Sequence, residues 1–156
     1  MTVYLVRHAD AGSRAKWTSA DELRPLVPNG RYQAADLVTV LGDLGIAQIF
    51  SSPYRRCIET VAPLGAALGI PVFIDDALAE GPGGPALKLL RSLSADNVVL
   101  CSHGDIIPSL LEALEREDGL MVGSDARCQK ASTWIVEPSS SRPGYFSSLS
   151  YVPPPR

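Results

Sequence analysis

Short apolar runs alternate along the chain with stretches in which apolar residues recur every three or four positions, and this alternation predicts the elements. Val3-Tyr4-Leu5-Val6 is a continuous β-prone run of the kind that forms a strand buried on both faces. A polar loop over residues 9–28 leads to Pro28-Asn29-Gly30. Beyond it Ala34, Leu37, Val38 and Leu41 share one helical face, which predicts a helix to about residue 44 with Gly45 as its left-handed stop. Residues 46–50 read as a second strand. Ser52-Pro53 reads as the N-cap and first-turn pair of a second helix, with Ile58, Val61, Ala62, Gly65 and Leu68 facing inward and Gly69 ending it. Residues 71–74 are expected to form a third strand and residues 97–101 a fourth. Helices are expected over 86–93, after a Gly/Pro-rich loop at 81–85, and over 106–115, where Pro108 is tolerated in the first turn. Residues 132–136 and 145–152 read as late strands.

Strand and helix alternate four times before the last two strands. That order predicts a three-layer α/β/α sandwich around a mostly parallel sheet, as one domain over residues 1–152 with an extended, loosely ordered Pro-rich tail at 153–156. Ligands of such folds bind beyond the carboxyl ends of the strands. The length of 156 residues and an apolar content of 46% suffice for one buried core, and the formal net charge of -3 argues against a nucleic-acid or anionic-membrane surface. Cys57, Cys101 and Cys128 show no pairing pattern, which fits reduced thiols and a cytoplasmic setting. The first apolar run ends at Arg7, too short for a signal-peptide core or a membrane span.

The two histidines of the chain change the picture from fold to chemistry. His8 directly follows the first strand and His103 follows the fourth, so both project from one sheet edge if those strands are parallel neighbours. Arg7 is poor core material, because a guanidinium needs a polar or charged partner. Facing a cleft, it could hold two phosphate oxygens in a bidentate fork. Arg55 and Arg56 follow in the first turn of the second helix. One of them is expected at the same edge, beside backbone N–H groups that favour anions, and the other on a solvated face. Of the loop bases Arg14, Lys16 and Arg24, Arg14 is the candidate for substrate binding. Trp17 reads as a cleft wall or as packing. Asp75-Asp76 reads as a solvated strand end, and no convincing metal cluster or cofactor motif is visible.

At this point the residues resemble the histidine phosphatase superfamily, also called phosphoglycerate mutase-like. Leu5-Val6-Arg7-His8-Ala9-Asp10 is similar to its Arg-His motif. Residues 24–30 with Gln33-Ala34 are similar to the opening of its first helix. Ser51-Ser52-Pro53-Tyr54-Arg55-Arg56-Cys57 with Thr60 resembles its second arginine motif, which places the functional arginine at Arg56. Residues 98–104 resemble its second-histidine motif. The four blocks occur in the family's order between residues 3 and about 136.

The resemblance implies a metal-free, two-step reaction. His8 would attack phosphorus and become phosphohistidine, which water then hydrolyses. Arg7, Arg56 and His103 would cradle the phosphoryl oxygens, with Ser102 and Gly104 at the substrate. Glu80, after the third strand, is the implied general acid, with Asp10 and Asp105 as the other acids within reach of the histidines. Compact length and the Arg-His-Ala-Asp-Ala opening look most like small bacterial phosphohistidine phosphatases. The expected substrate is therefore a phosphorylated small molecule or a phosphohistidine protein. The rival readings are a phosphate-binding pseudophosphatase and a mutase-type phosphotransferase.

Overall fold

The computed structural model describes residues 2–94, 96–122 and 127–155. Strand β1 (Val3–Arg7) shows why its run is apolar at every position. Val3 and Leu5 enter the core beneath helices α3 (Gly84–Ser92) and α4 (Ile106–Asp118). Tyr4 and Val6 enter the opposite core, beneath α1 (Pro28–Leu41) and α2 (Arg55–Leu68). Strand β4 (Val98–Ser102) divides in the same way, with Val98 and Leu100 on one side and Val99 and Cys101 on the other. Period-two alternation between two apolar faces is what a sheet covered by helices on both sides requires. The fold is thus the expected three-layer sandwich.

Strands β2 (Gln48–Ser51), β3 (Val72–Ile74), β5 (Thr133–Pro138) and β6 (Phe146–Val152) complete a six-stranded sheet ordered β3-β2-β4-β1-β5-β6. The first four strands in that order run parallel, and β5 is antiparallel to both β1 and β6. Among the described residues no helix is long and apolar enough to cross a membrane.

Several expected boundaries move. Helix α1 ends at Leu41, and Gly45 (φ +67°) makes the turn into β2 instead of stopping the helix. The left-handed stop occurs where expected after α2, at Gly69 (φ +69°). Helix α2 begins at Arg55, and Ser52 is no N-cap: Tyr54 holds that position without a side-chain cap bond. Its buried stripe is Arg56, Cys57, Thr60, Val61, Leu64 and Gly65, while Ala62 is exposed and Ile58 half-buried. The helix is rotated from the apolar expectation because the polar residues Arg56 and Thr60 must face inward. At the chain end Pro154 and Pro155 are half-buried, and Pro155 lines a groove with Asn29, Tyr32 and Gln33 of α1. Arg156 is outside the described residues.

Candidate active site

Register brings the two histidines together. In the β1–β4 ladder Arg7 pairs with Ser102, so the next residue of each strand, His8 and His103, leaves the sheet at the same edge. The backbone N–H of His8 donates to the Ser102 carbonyl at 3.0 Å, and the two imidazole centroids are 5.5 Å apart. β2 ends at the same level, and its continuation through Ser52 into α2 supplies Arg56. A cavity of about 300 Å3 at this edge is lined by Arg7, His8, Arg14, Glu80, Gly104 and Asp105. A larger groove of about 660 Å3 runs between α1 and α2, lined by Ala34, Ala62 and Ala66, and neither histidine reaches it.

His8 is buried and its Nδ1 lies 2.8 Å from the Ala9 carbonyl. A carbonyl only accepts, so Nδ1 carries the proton and Nε2 keeps its lone pair. Burial pushes the His8 pKa down from 6.5 to about 3, against the raising effect of the Ala9 carbonyl, and the guanidiniums of Arg56 and Arg7 and the neighbouring His103 ring lower it further. The loop behind is pinned: Ala9 N–H donates to Thr60 Oγ1 at 2.8 Å, and that hydroxyl donates to the Arg56 carbonyl at 2.6 Å.

Around His8 the guanidiniums are held in place. Arg7 Nη1 donates to the Cys128 carbonyl at 2.6 Å. The side chain lies across Gly104, where an added Cβ would stand 2.7 Å from Arg7 Cζ. Arg56 is fully buried, donates from Nη1 to the Asp21 carbonyl at 3.0 Å and from Nη2 to Asp21 Oδ2 at 3.1 Å, and lies against the Tyr54 ring. Glu80 Oε1 accepts from Arg56 Nη2 and Arg14 Nη2, each at 2.6 Å, and stands 3.6 Å from His103 Nδ1. Three buried nitrogens of this cluster, Arg7 Nε, Arg56 Nε and His103 Nδ1, have no hydrogen-bond partner. Buried donors are almost always satisfied, so such a set fits a ligand with several acceptor oxygens.

His8, Arg7, Arg56, His103, Glu80 and Arg14 therefore come together, and of Arg55 and Arg56 it is Arg56 that lies at this edge. Arg55 is exposed and pairs with Glu59 along the helix at 2.7 Å. Gly104 lines the cavity through the space it leaves for Arg7. Ser102 departs from its expected place at the substrate: its buried hydroxyl donates to the Leu78 carbonyl at 2.6 Å and is spent there. Asp10 is taken up by Gly12 N–H (3.0 Å), Asn29 (3.2 Å) and Lys130 (3.7 Å), which hold its pKa below the usual carboxylate range. Asp105 lines the cavity, and its Oδ2 accepts from Gly81 N–H at 3.0 Å, tying down the chain after Glu80.

Arg24 is buried structure, donating to the carbonyls of Ala11 (2.7 Å) and Gly12 (3.1 Å) and to Asp21 Oδ1 (3.1 Å). Trp17 lines a separate pocket with Lys16 and donates to the Ala20 carbonyl at 2.9 Å. Sequence reasoning missed Asp21, which touches three arginines; its only local signal was the spacing to Arg24. It also missed the contact of Ser52 Oγ with His103 Nε2 at 2.8 Å. Among the described residues no group of three or more His, Cys, Asp or Glu side chains is arranged to hold a metal ion.

Comparison with known proteins places these residues in a family. The 8-oxo-(d)GTP phosphatase of Mycolicibacterium smegmatis is 30% identical over 160 aligned positions, covering 99% of this chain and 48% of that protein. The chain spans about half, or less, of the length of the curated relatives it matches. The structure of the protein histidine phosphatase SixA complexed with tungstate superposes with a TM-score of 0.77 at 22% identity, covering 96% of each chain. Bacillus stearothermophilus YhfR gives 0.75 at 20% identity over 94% of each chain. These two likenesses are of fold. The family profile of the histidine phosphatase superfamily (branch 1) matches residues 3–90, more than half of the 156. With that match spanning the Arg7-His8 pair, Arg56 and Glu80, the chain belongs to the histidine phosphatase superfamily.

Proposed function

We propose that the chain is a metal-free phosphatase that hydrolyses a phosphomonoester or a protein phosphohistidine through phosphohistidine on His8. The observation that carries this reading is the state of His8: Nδ1 spent on the Ala9 carbonyl and a pKa lowered to about 3 leave Nε2 unprotonated and nucleophilic at neutral pH. In the first step Nε2 attacks phosphorus, the N–P bond forms, and the bond to the leaving oxygen or nitrogen breaks with its electron pair. In the second step water attacks the same phosphorus, the N–P bond breaks, and inorganic phosphate leaves with His8 restored.

Arg7, Arg56 and His103 supply the charge and donors that the phosphoryl oxygens need, a stabilisation that requires no proton transfer at the transition state. Arg14 reaches the outer side of the cavity. Glu80 is the general acid in this reading, and it must first leave the two guanidiniums that now donate to its Oε1. An incoming phosphoryl group competes for those same donors, and the freed carboxylate takes up a proton from solvent before giving it to the leaving atom. The relatives named as phosphatases for 8-oxo-(d)GTP and for protein histidine share the phosphoryl group rather than the leaving group, and the reading follows that shared part.

Steady-state hydrolysis of para-nitrophenyl phosphate by the wild type and His8→Ala, with a chelator present, tests this function. Chelator-resistant activity that disappears in the variant is expected. Retained activity in His8→Ala would overturn the nucleophile, and activity abolished by chelation would overturn the metal-free assignment.

A further inference from the structure

Ser52 has no part in the reaction as described, yet it is fully buried and its hydroxyl touches the second histidine. We propose that Ser52 is a positioning residue that fixes the tautomer of His103, keeping the ring proton on Nδ1, where it can be given to a phosphoryl oxygen. The proposal rests on the phosphohistidine reading for its catalytic consequence, but not for the tautomer itself.

A serine hydroxyl has one hydrogen to donate and lone pairs to accept with. Ser52 Oγ already accepts from the Tyr54 N–H at 3.2 Å, so its own hydrogen remains available, and His103 Nε2 lies 2.8 Å away. The second neighbour of Nε2 is Cys57 Sγ at 3.5 Å, whose own hydrogen is directed at the Ser102 carbonyl at 3.7 Å. The Ser52 hydrogen thus has Nε2 as its near acceptor, and Nε2 is best placed to accept it. The ring proton then belongs on Nδ1. That nitrogen is buried, has no hydrogen-bond partner, and points toward Glu80 Oε1 at 3.6 Å. A lone pair there would face a carboxylate oxygen, whereas an N–H there is attracted to it. Both ends of the ring favour the same tautomer.

The ring is also held against rotation. Tyr54 packs edge-on at 4.7 Å between centroids, and the His103 carbonyl accepts the Ile107 N–H at 3.1 Å in the first turn of α4. Flipping the ring would turn Nε2 away from Ser52 and Cys57. Ser52 itself is locked by its backbone N–H on the Cys101 carbonyl at 3.0 Å. The same Ser52 geometry explains why this residue fails as a helix cap: its oxygen is committed to the histidine and the Tyr54 turn.

Long-range 1H–15N spectra of the 15N-labelled wild-type chain at neutral pH test the tautomer directly. Only two imidazoles are present, and the His8→Ala spectrum assigns the one that remains to His103. The expected result is a protonated Nδ1 and an unprotonated Nε2 on His103. A proton on Nε2 in the wild type would overturn the proposal, with no variant needed. In Ser52→Ala the Nε2 resonance is expected to shift as its donor is lost. Turnover number is expected to fall on the order of 10- to 100-fold with little change in KM, since a misoriented transition-state donor costs rate rather than binding. A folded Ser52→Ala protein with the wild-type spectrum, or with wild-type turnover, would contradict the positioning role. If the wild type hydrolyses no phosphate, the phosphatase reading fails while the spectra still decide the tautomer.

Discussion

At the scale of single residues, the site works by denying partners to some nitrogens and assigning them to others. His8 Nδ1 has the Ala9 carbonyl, Arg7 Nη1 has the Cys128 carbonyl, and Arg56 has both the backbone and the carboxylate of Asp21. Each assignment fixes a side chain, and Arg7 Nε and Arg56 Nε stay without a hydrogen-bond partner. Gly104 belongs to this scheme through an atom it lacks. A Cβ there would stand 2.7 Å from Arg7 Cζ and 2.9 Å from Nη2, so Gly104→Ala must push the guanidinium aside. The expected outcome is a loss of about 10-fold or more in kcat/KM, the scale seen when a transition-state donor is displaced, with an unchanged unfolding midpoint. Wild-type kinetics in Gly104→Ala would show that Arg7 does not need its present place.

At the scale of elements, positions depend on backbone contacts that sequence patterns register only in part. Helix α1 starts against the first loop, where Val27 N–H donates to the Asp10 carbonyl at 3.1 Å, and an added Cβ at Gly30 would lie 2.0 Å from that same oxygen. Backbone is the obstacle, so no rotamer relieves it. Gly30→Ala is expected to destabilise the fold by about 1–3 kcal/mol in urea unfolding, and a variant as stable as wild type would contradict this packing. The strands and helices were legible because β1 and β4 carry continuous apolar runs over residues 3–6 and 98–101 and the helices carry one apolar face. The orientation of α2 was not, since Arg56 and Thr60 are polar residues that point inward to build the site. His8, His103 and Arg7 were legible from their places at strand ends. Asp21 and Ser52 were hidden: Asp21 sits in a polar loop without periodicity, and Ser52 meets a histidine 51 residues away only because β2 neighbours β4.

At the scale of the whole molecule, the buried neutral His8 links the site to stability. Its pKa of about 3 in the folded chain lies below the ordinary 6.5 of an unfolded one, so between these values the unfolded state binds a proton that the native state refuses. Stability from this group is fully present above about pH 6.5 and is lost as pH falls through the window toward 3, at up to about 1.4 kcal/mol per pH unit. Urea unfolding between pH 6 and 4 should therefore show a steeper loss for the wild type than for His8→Ala, and parallel curves would rule out a buried neutral histidine. The same property makes the central claim directly measurable. The chain is mixed with a 32P-labelled phosphoryl donor, quenched in alkaline detergent within one turnover, and mapped by peptide mass spectrometry. The account predicts an acid-labile, base-stable phosphoryl group on His8, absent in His8→Ala. Turnover of the donor with no label on His8, or a label on another residue, would contradict it.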